Sequence, residues 1–142
     1  MGCACSNEVP LLSPEEEMAQ KRKQKVRACH ILLKHSSCLH PWTHRNNEFV
    51  RRVTRDMATI SMETILSSIR SGVDKEGKPC YFEDMAKKKS DCLSFKRGGD
   101  LGYVGRGDLD KVFEDVLFTL KVGEISGVVH TESGVHLIKR TA

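Results

Sequence analysis

Two histidines within apolar segments are the residues whose types and spacing most suggest chemistry in this 142-residue chain. His30 lies in Val26-Arg-Ala-Cys-His-Ile-Leu-Leu-Lys34, and His136 lies in Gly134-Val-His-Leu-Ile-Lys139. Segments this rich in Val, Ile and Leu are typical of central strands, where a buried imidazole needs a hydrogen-bonding partner. A cysteine, in Ser90-Asp-Cys92, lies between them in the sequence. We therefore predict a buried polar cluster in an apolar pocket, an arrangement that favours an enzyme.

The cysteines raise a second chemical possibility, a metal site. There are six, at positions 3, 5, 29, 38, 80 and 92, and no apolar signal segment precedes them, so we expect reduced thiols. Two cysteines and three histidines fall within residues 29–40. However, Cys29 and His30 are adjacent in a predicted strand and should face opposite sides of the sheet. Because no spacing in this segment matches a zinc ligand set, we expect neither a metal nor a cofactor.

Composition bounds the class of protein. Apolar residues make up 39% of the chain and charged residues 30%, with a net charge of +4, which is typical of one soluble globular domain. The longest apolar runs are far shorter than the roughly 18–20 residues that span a bilayer. The mild positive charge would suit acidic peptides or anionic lipid. Without aromatic interleaving or a long basic stripe, we do not expect nucleic acid binding.

The elements that must position these residues alternate between strands and helices. We predict a strand at about 26–34, helices at about 55–71, 82–88 and 109–120, and closing strands at about 127–130 and 134–140. The first helix has Met57, Ala58, Met62, Ile65 and Ile69 near one face and ends at Gly72, before an exposed loop at 73–80. The third has apolar residues at a helical spacing from Leu109 to Leu120, with Asp108 as its cap. This order predicts an α+β domain with helices around a small, mostly antiparallel sheet.

Residues 1–25 are predicted to form a leader that precedes the domain at 26–142. Ser13-Pro14-Glu-Glu-Glu17 has the features of a helix start, and the basic residues 21–25 follow it. The chain opens Met-Gly-Cys-Ala-Cys-Ser, which matches the N-myristoylation pattern at Gly2 and places Cys3 and Cys5 for palmitoylation. A second acyl chain or a basic segment would make membrane attachment stable. We expect a cytoplasmic enzyme, membrane-associated through acylation and with a nuclear pool; the alternative is a leader with incidental cysteines.

Five segments in order resemble the parvulin peptidyl-prolyl cis/trans isomerases. They are Cys29-His-Ile-Leu-Leu-Lys-His35, Gly99-Asp-Leu-Gly-Tyr-Val-Gly-Arg-Gly107, Phe113-Glu-Asp115, Gly123-Glu-Ile-Ser-Gly127 and Thr131-Glu-Ser-Gly-Val-His-Leu-Ile138. The resemblance covers about residues 26–142 and implies a four-stranded sheet with three to four helices. Ser90-Asp-Cys92 and the long loop after the first strand are most similar to the branch directed to phosphoserine- or phosphothreonine-proline. Because only 25 residues precede the first strand, we expect a stand-alone, monomeric catalytic domain without the WW domain common in that branch.

The resemblance also implies the site. His30 and His136 would form its central imidazole pair, linked to Thr131 and close to Cys92 and Ser133. Leu101, Leu109 and Phe113 would line the pocket for the proline ring. The alternatives are that His30 and His136 are hydrogen-bonded core histidines without a role in catalysis, and that Cys92 is a buried thiol.

One departure bears on the preference for phosphate. Members of the phospho-directed branch usually carry adjacent arginines in the loop after the first strand, and here those positions fall on Leu39 and His40. We expect the cations to come instead from Lys34, His40, Arg45, Arg51 and Arg52. Lys34 would share a strand face with His30, about 13 Å further along. The partners would be proline-containing, phosphorylated or acidic proteins. The alternatives are a phosphoSer/Thr-Pro binding module with little turnover and a cysteine–histidine hydrolase.

Overall fold

The structure, a computed structural model, describes residues 13–15, 25–74 and 76–142. Within these ranges the chain forms six strands, three α-helices and a 3₁₀ turn: β1 (Lys25–Leu33), β2 (Trp42–Thr43), β3 (Glu48–Phe49), α1 (Arg55–Ser71), α2 (Phe82–Lys89), the 3₁₀ turn (Leu93–Arg97), β4 (Asp100–Gly105), α3 (Lys111–Thr119), β5 (Val129–Thr131) and β6 (Gly134–Arg140). The α+β class with a small antiparallel sheet is confirmed. No helix in the described part of the chain is long and apolar enough to cross a membrane.

The four-stranded sheet places the two histidine strands side by side at its centre. Its order is β4-β1-β6-β5, and every neighbouring pair is antiparallel. In the register, Leu32 pairs with His136 and His30 pairs with Ile138. The two histidines are therefore diagonal neighbours on one face of the sheet, a separation that ring side chains can bridge.

Alternation along β1 divides the core into two clusters. Cys29 and Ile31 point to the face covered by α1 and α2, whereas Val26 and Ala28 point to the face covered by α3. Val26, Ala28 and Ile31 on β1 are almost completely buried, as are Val135, Leu137 and Ile138 on β6. Each face is apolar because it packs against helices, so a histidine on the α3 face is enclosed by protein on all sides.

Helix α1 begins and ends where its sequence predicts. The Thr54 hydroxyl accepts a hydrogen bond from the Met57 amide at the start, and Gly72 adopts a left-handed conformation (φ 79°) at the end. Its buried residues are Ala58, Met62, Ile65 and Leu66. The prediction that Met57 belongs to the buried face is wrong, since Met57 is 51% exposed and lies about 100° around the helix from Ala58.

Helix α3 is shorter than predicted, and its cap is a different aspartate. The helix starts at Lys111, and Asp110 accepts a hydrogen bond from the Val112 amide. Asp108, which we expected as the cap, instead accepts from the Gly105 amide in the preceding turn. Leu109 therefore precedes the helix, although its side chain still packs against the α3-face cluster.

The loop after β1 contains a small hairpin that sequence patterning did not predict. Strands β2 and β3 are two residues each, too short to show an alternation, and they are joined by Trp42 and Phe49 in an edge-to-face contact at 4.8 Å. The last hairpin begins at Val129 rather than 127. The predicted acylation residues and basic segment 21–24 lie outside the described residues. Of the predicted leader helix, Pro14 and Glu15 are described, and both are helical.

Candidate active site

The centre of the site is a stacked pair of imidazoles. The Nδ1 atoms of His30 and His136 lie 3.2 Å apart, and the ring planes are inclined by only 21° with centroids 5.4 Å apart. Both residues are 5% exposed, which places the pair inside the protein rather than on its surface. The strand register described above is what brings the two rings together.

An aromatic ring and a hydroxyl fix the orientation of the pair. Phe113 on α3 presents an edge-to-face contact to both His30 and His136, with centroid distances of 5.5 and 5.3 Å. The Oγ1 atom of Thr131 lies 2.7 Å from Nε2 of His136 and also accepts the Ser133 amide. Thr131 and Gly134 flank the tight turn between β5 and β6, and Ser133 lies within it, so this turn holds the second ring in place.

The hydrogen-bond inventory of the pair leaves one polar atom without a partner. Either His136 donates from Nδ1 to His30 and accepts from Thr131, or His30 donates to His136, whose Nε2 proton then points to Thr131. In both arrangements Nε2 of His30 is buried without a hydrogen-bonding partner. A buried orphan of this kind destabilises the fold by about 1–3 kcal/mol, which favours a functional role over simple packing.

Burial keeps both rings uncharged. Removal from water lowers the pKa of His30 from 6.5 to about 4. Burial and, to a smaller degree, the neighbouring His30 lower the pKa of His136 to about 3. Both imidazoles are therefore neutral at physiological pH, so the site offers polar atoms without a formal charge at its centre.

The segment that carries Cys92 is anchored to the end of β1. The Ser90 hydroxyl accepts the Leu32 amide (3.1 Å), and the Asp91 amide donates to the Leu32 carbonyl (2.7 Å). The Asp91 carboxylate accepts the Lys34 amide (2.9 Å) and the Thr43 hydroxyl (2.6 Å). Cys92, half-buried, follows directly and is the N-cap of the 3₁₀ turn that starts at Leu93. The sequence drew attention to this tripeptide, but only the structure shows that Ser90 and Asp91 fasten it.

Gly99 is a further residue that the site depends on and that sequence reasoning did not single out. It has φ 85°, and its carbonyl accepts the amide of His30 at 2.9 Å. A Cβ atom added here would fall against the carbonyl oxygen of His30. The Gly98-Gly99 pair at the head of the glycine-rich segment was the available signal, because adjacent glycines often mark close backbone approach.

The residues predicted to line the proline pocket are brought together on the α3 face. Leu101 and Leu109 are half-buried and pack against the cluster that contains Phe113. Because Phe113 also contacts both histidines, this apolar surface adjoins the imidazole pair. The Ser133 backbone takes part in the network, but its side chain is exposed. Roles in binding and catalysis for these residues stay predictions.

Most of the cations predicted to recognise phosphate line one groove on the side of the sheet that α1 and α2 cover. The groove measures about 1020 Å³ and lies between the β2–β3 hairpin, α1 and α2; Lys34, Arg45, Arg51 and Arg52 line it, whereas the exposed His40 is not among its lining residues. Lys34 does not follow the predicted alternation with His30, because β1 ends at Leu33. Asp91, the residue before Cys92, also lines the groove, whereas the two histidines and Phe113 do not.

Taken together, the geometry suits chemistry that needs orientation and desolvation more than a charged nucleophile. The neutral, stacked rings adjoin an apolar surface on the α3 face, and the basic groove lies on the side of the sheet that α1 and α2 cover. Among the described residues, no group of three or more His, Cys, Asp or Glu side chains is arranged to hold a metal ion.

Comparison with known proteins gives consistent matches. The family model described as "Rotamase: PPIC-type PPIASE domain" matches residues 30–142. The chain is 44% identical over 126 residues to "Peptidyl-prolyl cis-trans isomerase Pin1" of Malus domestica, covering 87% of this chain and 99% of that protein. It is also 44% identical over 116 residues to "Peptidyl-prolyl cis-trans isomerase ESS1" of Saccharomyces cerevisiae, covering 82% of this chain but only 65% of the yeast protein.

Two solved structures extend the match to three dimensions. The solution structure of TbPIN1 has a TM-score of 0.74 at 39% identity, covering 84% of this chain and 99% of that one. The peptidyl-prolyl isomerase ESS1 from Candida albicans has a TM-score of 0.73 at 34% identity, covering 94% and 67%.

Proposed function

Because this chain belongs to the PPIC-type, or parvulin, family of peptidyl-prolyl cis/trans isomerases, we propose that it isomerises X–Pro bonds of partner proteins and prefers phosphoSer/Thr-Pro or acidic-Pro. The observation that carries this proposal is the neutral His30–His136 pair against the apolar surface that contains Phe113. A proline ring needs an apolar site, and an acidic residue before the proline needs a cation next to that site.

The mechanism follows from the nature of the barrier. Rotation about a peptide bond is opposed by roughly 18–20 kcal/mol of amide resonance, and no covalent bond needs to break. A catalyst must therefore bind the twisted amide more tightly than the planar one. In our proposal Leu101, Leu109 and Phe113 hold the proline ring in an apolar, water-poor site. The chain then rotates about the fixed ring.

The polar residues supply preorganised dipoles to the twisted amide. Once the carbonyl and the nitrogen are electronically decoupled, the nitrogen becomes a better hydrogen-bond acceptor. Fixed polar groups nearby then stabilise the twisted amide more than the planar one. We propose that His30 and His136, held by Thr131 and the Ser133 amide, provide this environment, and that Cys92 lines its edge without forming a covalent intermediate. To accelerate the reaction a thousandfold, these interactions need to favour the twisted state by about 4 kcal/mol.

The preference for phosphate is supported by the groove cations. Lys34, Arg45, Arg51 and Arg52 all line the groove, as does Asp91, the residue before Cys92. The guanidinium of Arg45 lies 3.6 Å from the Asp91 carboxylate, and its Nε atom is buried without a hydrogen-bonding partner. Guanidinium groups bind phosphate through charge-assisted hydrogen bonds, and Arg51 and Arg52 are exposed in this groove. We give His40 no role in this proposal, since it is not among the groove's lining residues.

The proposal is tested by comparing three matched peptides that differ only in the residue before proline: Ser, phosphoSer and Glu. We expect the highest kcat/KM for phosphoSer-Pro, an intermediate value for Glu-Pro and the lowest for Ser-Pro, with Arg45→Gln reducing the difference. Equal values for all three peptides would leave a general prolyl isomerase and contradict the preference. Tight phosphopeptide binding without acceleration would favour the alternative, a binding module.

Membrane attachment through acylation remains a prediction from the sequence alone. The pattern at Gly2 and the thiols of Cys3 and Cys5 favour myristoylation and palmitoylation, but these residues lie outside those the structure describes. We expect Gly2→Ala to shift the protein out of membrane fractions in cells. Unchanged partitioning of the variant would contradict the prediction.

A further inference from the structure

Glu114 is a buried carboxylate that the proposed mechanism does not use. It follows Phe113 on α3 and is only 8% exposed, and the other buried residues of this helix, Phe113 and Leu117, are apolar. Burial of a charged group is unfavourable unless the group is paired and hydrogen-bonded. An apolar side chain would cover the same surface without that penalty, so the contacts of the carboxylate indicate its role.

Both carboxylate oxygens of Glu114 bind the turn that joins β4 to α3. Oε2 accepts the amide of Gly107 at 2.7 Å, and Oε1 lies 3.3 Å from a guanidinium nitrogen of Arg106. The guanidinium has other partners, because it also lies 3.6 Å from Asp115 and over the ring of Phe118. The Gly107 amide is therefore the contact that depends most on Glu114, and a bond to a charged oxygen is the stronger kind.

This bond differs from the other carboxylate contacts of the turn because it spans a longer stretch of chain. Asp108 accepts the Gly105 amide three residues before it, and Asp110 accepts the Val112 amide two residues after it. These two contacts shape the turn and the start of α3 locally. Glu114 accepts an amide from seven residues away, so it joins the turn to the body of the helix.

The turn matters because it contains Leu109, a predicted wall of the proline pocket. Leu109 lies two residues after Gly107, at most about 7 Å along the chain, and directly before Asp110, the N-cap of α3. Its half-buried side chain packs against the α3-face cluster, which contains Phe113. Because the backbone is fixed on both sides of Leu109, its side chain has little freedom to leave this cluster.

We propose that Glu114 is a positioning residue for the proline pocket, whose carboxylate holds the Gly107 amide so that Leu109 stays packed against the α3-face cluster. The proposal rests on the proposed function, which assigns this apolar surface to the proline ring. Glu114 acts through Leu109 and not on the rotating amide. Since the ring is held alike in the planar and the twisted state, loss of this contact weakens substrate binding. The rotation step depends on the imidazole pair and changes little.

Two substitutions that both remove the charge of Glu114 separate the hydrogen bond from the ion pair. Glu114→Met keeps a side chain of similar length without an acceptor for the Gly107 amide, whereas Glu114→Gln keeps an oxygen there. With the full chain and a phosphoSer-Pro peptide, we expect Glu114→Met to raise KM about three- to tenfold, the effect of one hydrogen bond, with kcat within about twofold. Glu114→Gln should stay within about twofold of the wild type in both constants, as should Asp115→Met, the same kind of change on the exposed neighbour. An equal rise of KM in Glu114→Met and Glu114→Gln would overturn the proposal, because it would show an effect of charge alone.

A double-mutant cycle with Leu109→Ala tests whether Glu114 acts through that side chain. In the Leu109→Ala background, Glu114→Met should raise KM by less than about twofold, because the truncated side chain leaves nothing to position. A merely structural role of Glu114 would give the same fold-change in both backgrounds, and that result would contradict the proposal. If Glu114→Met does not fold, Glu114→Asp, whose carboxylate reaches one methylene less far, takes its place in both experiments.

Amide exchange measured by NMR on the free protein provides a readout that does not depend on activity. The Gly107 amide should exchange about fivefold or more faster in Glu114→Met than in the wild type, and at nearly the wild-type rate in Glu114→Gln. NOEs from the Leu109 methyl groups to the α3-face cluster should weaken in Glu114→Met only. If the wild type does not isomerise the peptide, the proposed function fails, and these two measurements still decide the positioning role. Unchanged exchange and unchanged NOEs in Glu114→Met would show that the carboxylate does not hold the turn.

Discussion

At the scale of single residues, the main feature is that two imidazoles share a dry interior position. In water each would be half-protonated near pH 6.5, but burial lowers the pKa of His30 to about 4 and that of His136 to about 3. The groups that contact the two rings here are the other imidazole, Thr131 and Phe113. None of these carries a carboxylate that could stabilise a protonated imidazole. The neutral state is therefore a property of the folded protein and not of the residue type.

This lowering makes stability depend on pH in a defined window. The unfolded chain binds protons at these histidines below pH 6.5, whereas the folded chain does not until about pH 4 or below. The contribution of these two histidines to the free energy of unfolding should thus be constant above pH 6.5. Below pH 6.5 it should decrease by up to roughly 1.4 kcal/mol per pH unit for each histidine. His35, whose pKa burial also lowers, acts in the same direction.

Urea unfolding between pH 7.5 and 4.5 measures this effect. We expect the free energy of unfolding of the wild type to decrease steadily below pH 6.5, and the slope to become smaller in His30→Leu. A free energy that is flat from pH 6.5 to 5 would show that the rings accept protons in the folded state, contrary to the proposed neutral pair.

At the scale of elements, close packing between β1 and the glycine-rich segment defines the position of His30. Gly99 has φ 85° and lies against the His30 carbonyl, whereas Gly102 has a similar φ of 72° but open space around its Cα. We expect Gly99→Ala to destabilise the protein by about 3 kcal/mol or more, because strain and a backbone clash add. Gly102→Ala should lower the free energy of unfolding by only about 1 kcal/mol, because alanine is disfavoured in the left-handed conformation but meets no clash there.

Thermal unfolding of the two variants checks this difference, since both carry the same side-chain change. Equal destabilisation would mean that the close approach at Gly99 does not constrain the strand. The prolyl isomerase activity of Gly99→Ala should fall as well, because a shift of β1 would misplace His30 relative to His136.

The anchoring of the Cys92 segment gives a second expectation at this scale. Asp91→Ala would leave the Lys34 amide and the Thr43 hydroxyl without their acceptor, and we expect it to lower the free energy of unfolding by about 3 kcal/mol. Asp110→Ala, which removes only a helix cap, should cost about 1 kcal/mol. Chemical denaturation compares them, and an Asp91 variant as stable as the Asp110 variant would refute the anchoring role.

Sequence patterning predicted the elements whose signals are periodic and missed those fixed by tertiary contacts. The stripe in α1 is visible because one face of the helix is buried, and the apolar run in β1 is visible because both faces of the strand are buried; both elements were placed within a residue or two. The β2–β3 hairpin is only four paired residues and depends on Trp42 packing on Phe49, which no local pattern reveals. The choice of Asp110 over Asp108 as the helix cap depends on where the preceding turn ends.

The site shows the same division. The histidines and Thr131 were identifiable from their motifs, and the structure places them within hydrogen-bonding distance. The position of Lys34 was not, because the strand alternation used to place it stops at Leu33. The groove that gathers the cations arises from three elements distant in sequence, and no linear pattern could show it.

At the scale of the whole molecule, an apolar and a basic surface lie on different sides of the sheet. The apolar surface that contains Phe113 lies on the α3 face, whereas the groove lined by Lys34, Arg45, Arg51 and Arg52 lies on the side of α1 and α2. The net charge of +4 is therefore less informative than its distribution, because seven of the groove's described lining residues are Lys or Arg and four are Asp or Glu.

The central claim is that this arrangement accelerates rotation about a prolyl bond, and two-dimensional exchange NMR on one phosphoSer-Pro peptide tests it most directly. Uncatalysed cis/trans exchange takes tens to hundreds of seconds. With a catalytic amount of the protein, we predict exchange cross-peaks between the cis and trans signals at mixing times below a second. Shifted peptide signals without exchange cross-peaks, under conditions where the peptide is bound, would contradict the claim and identify a binding protein instead.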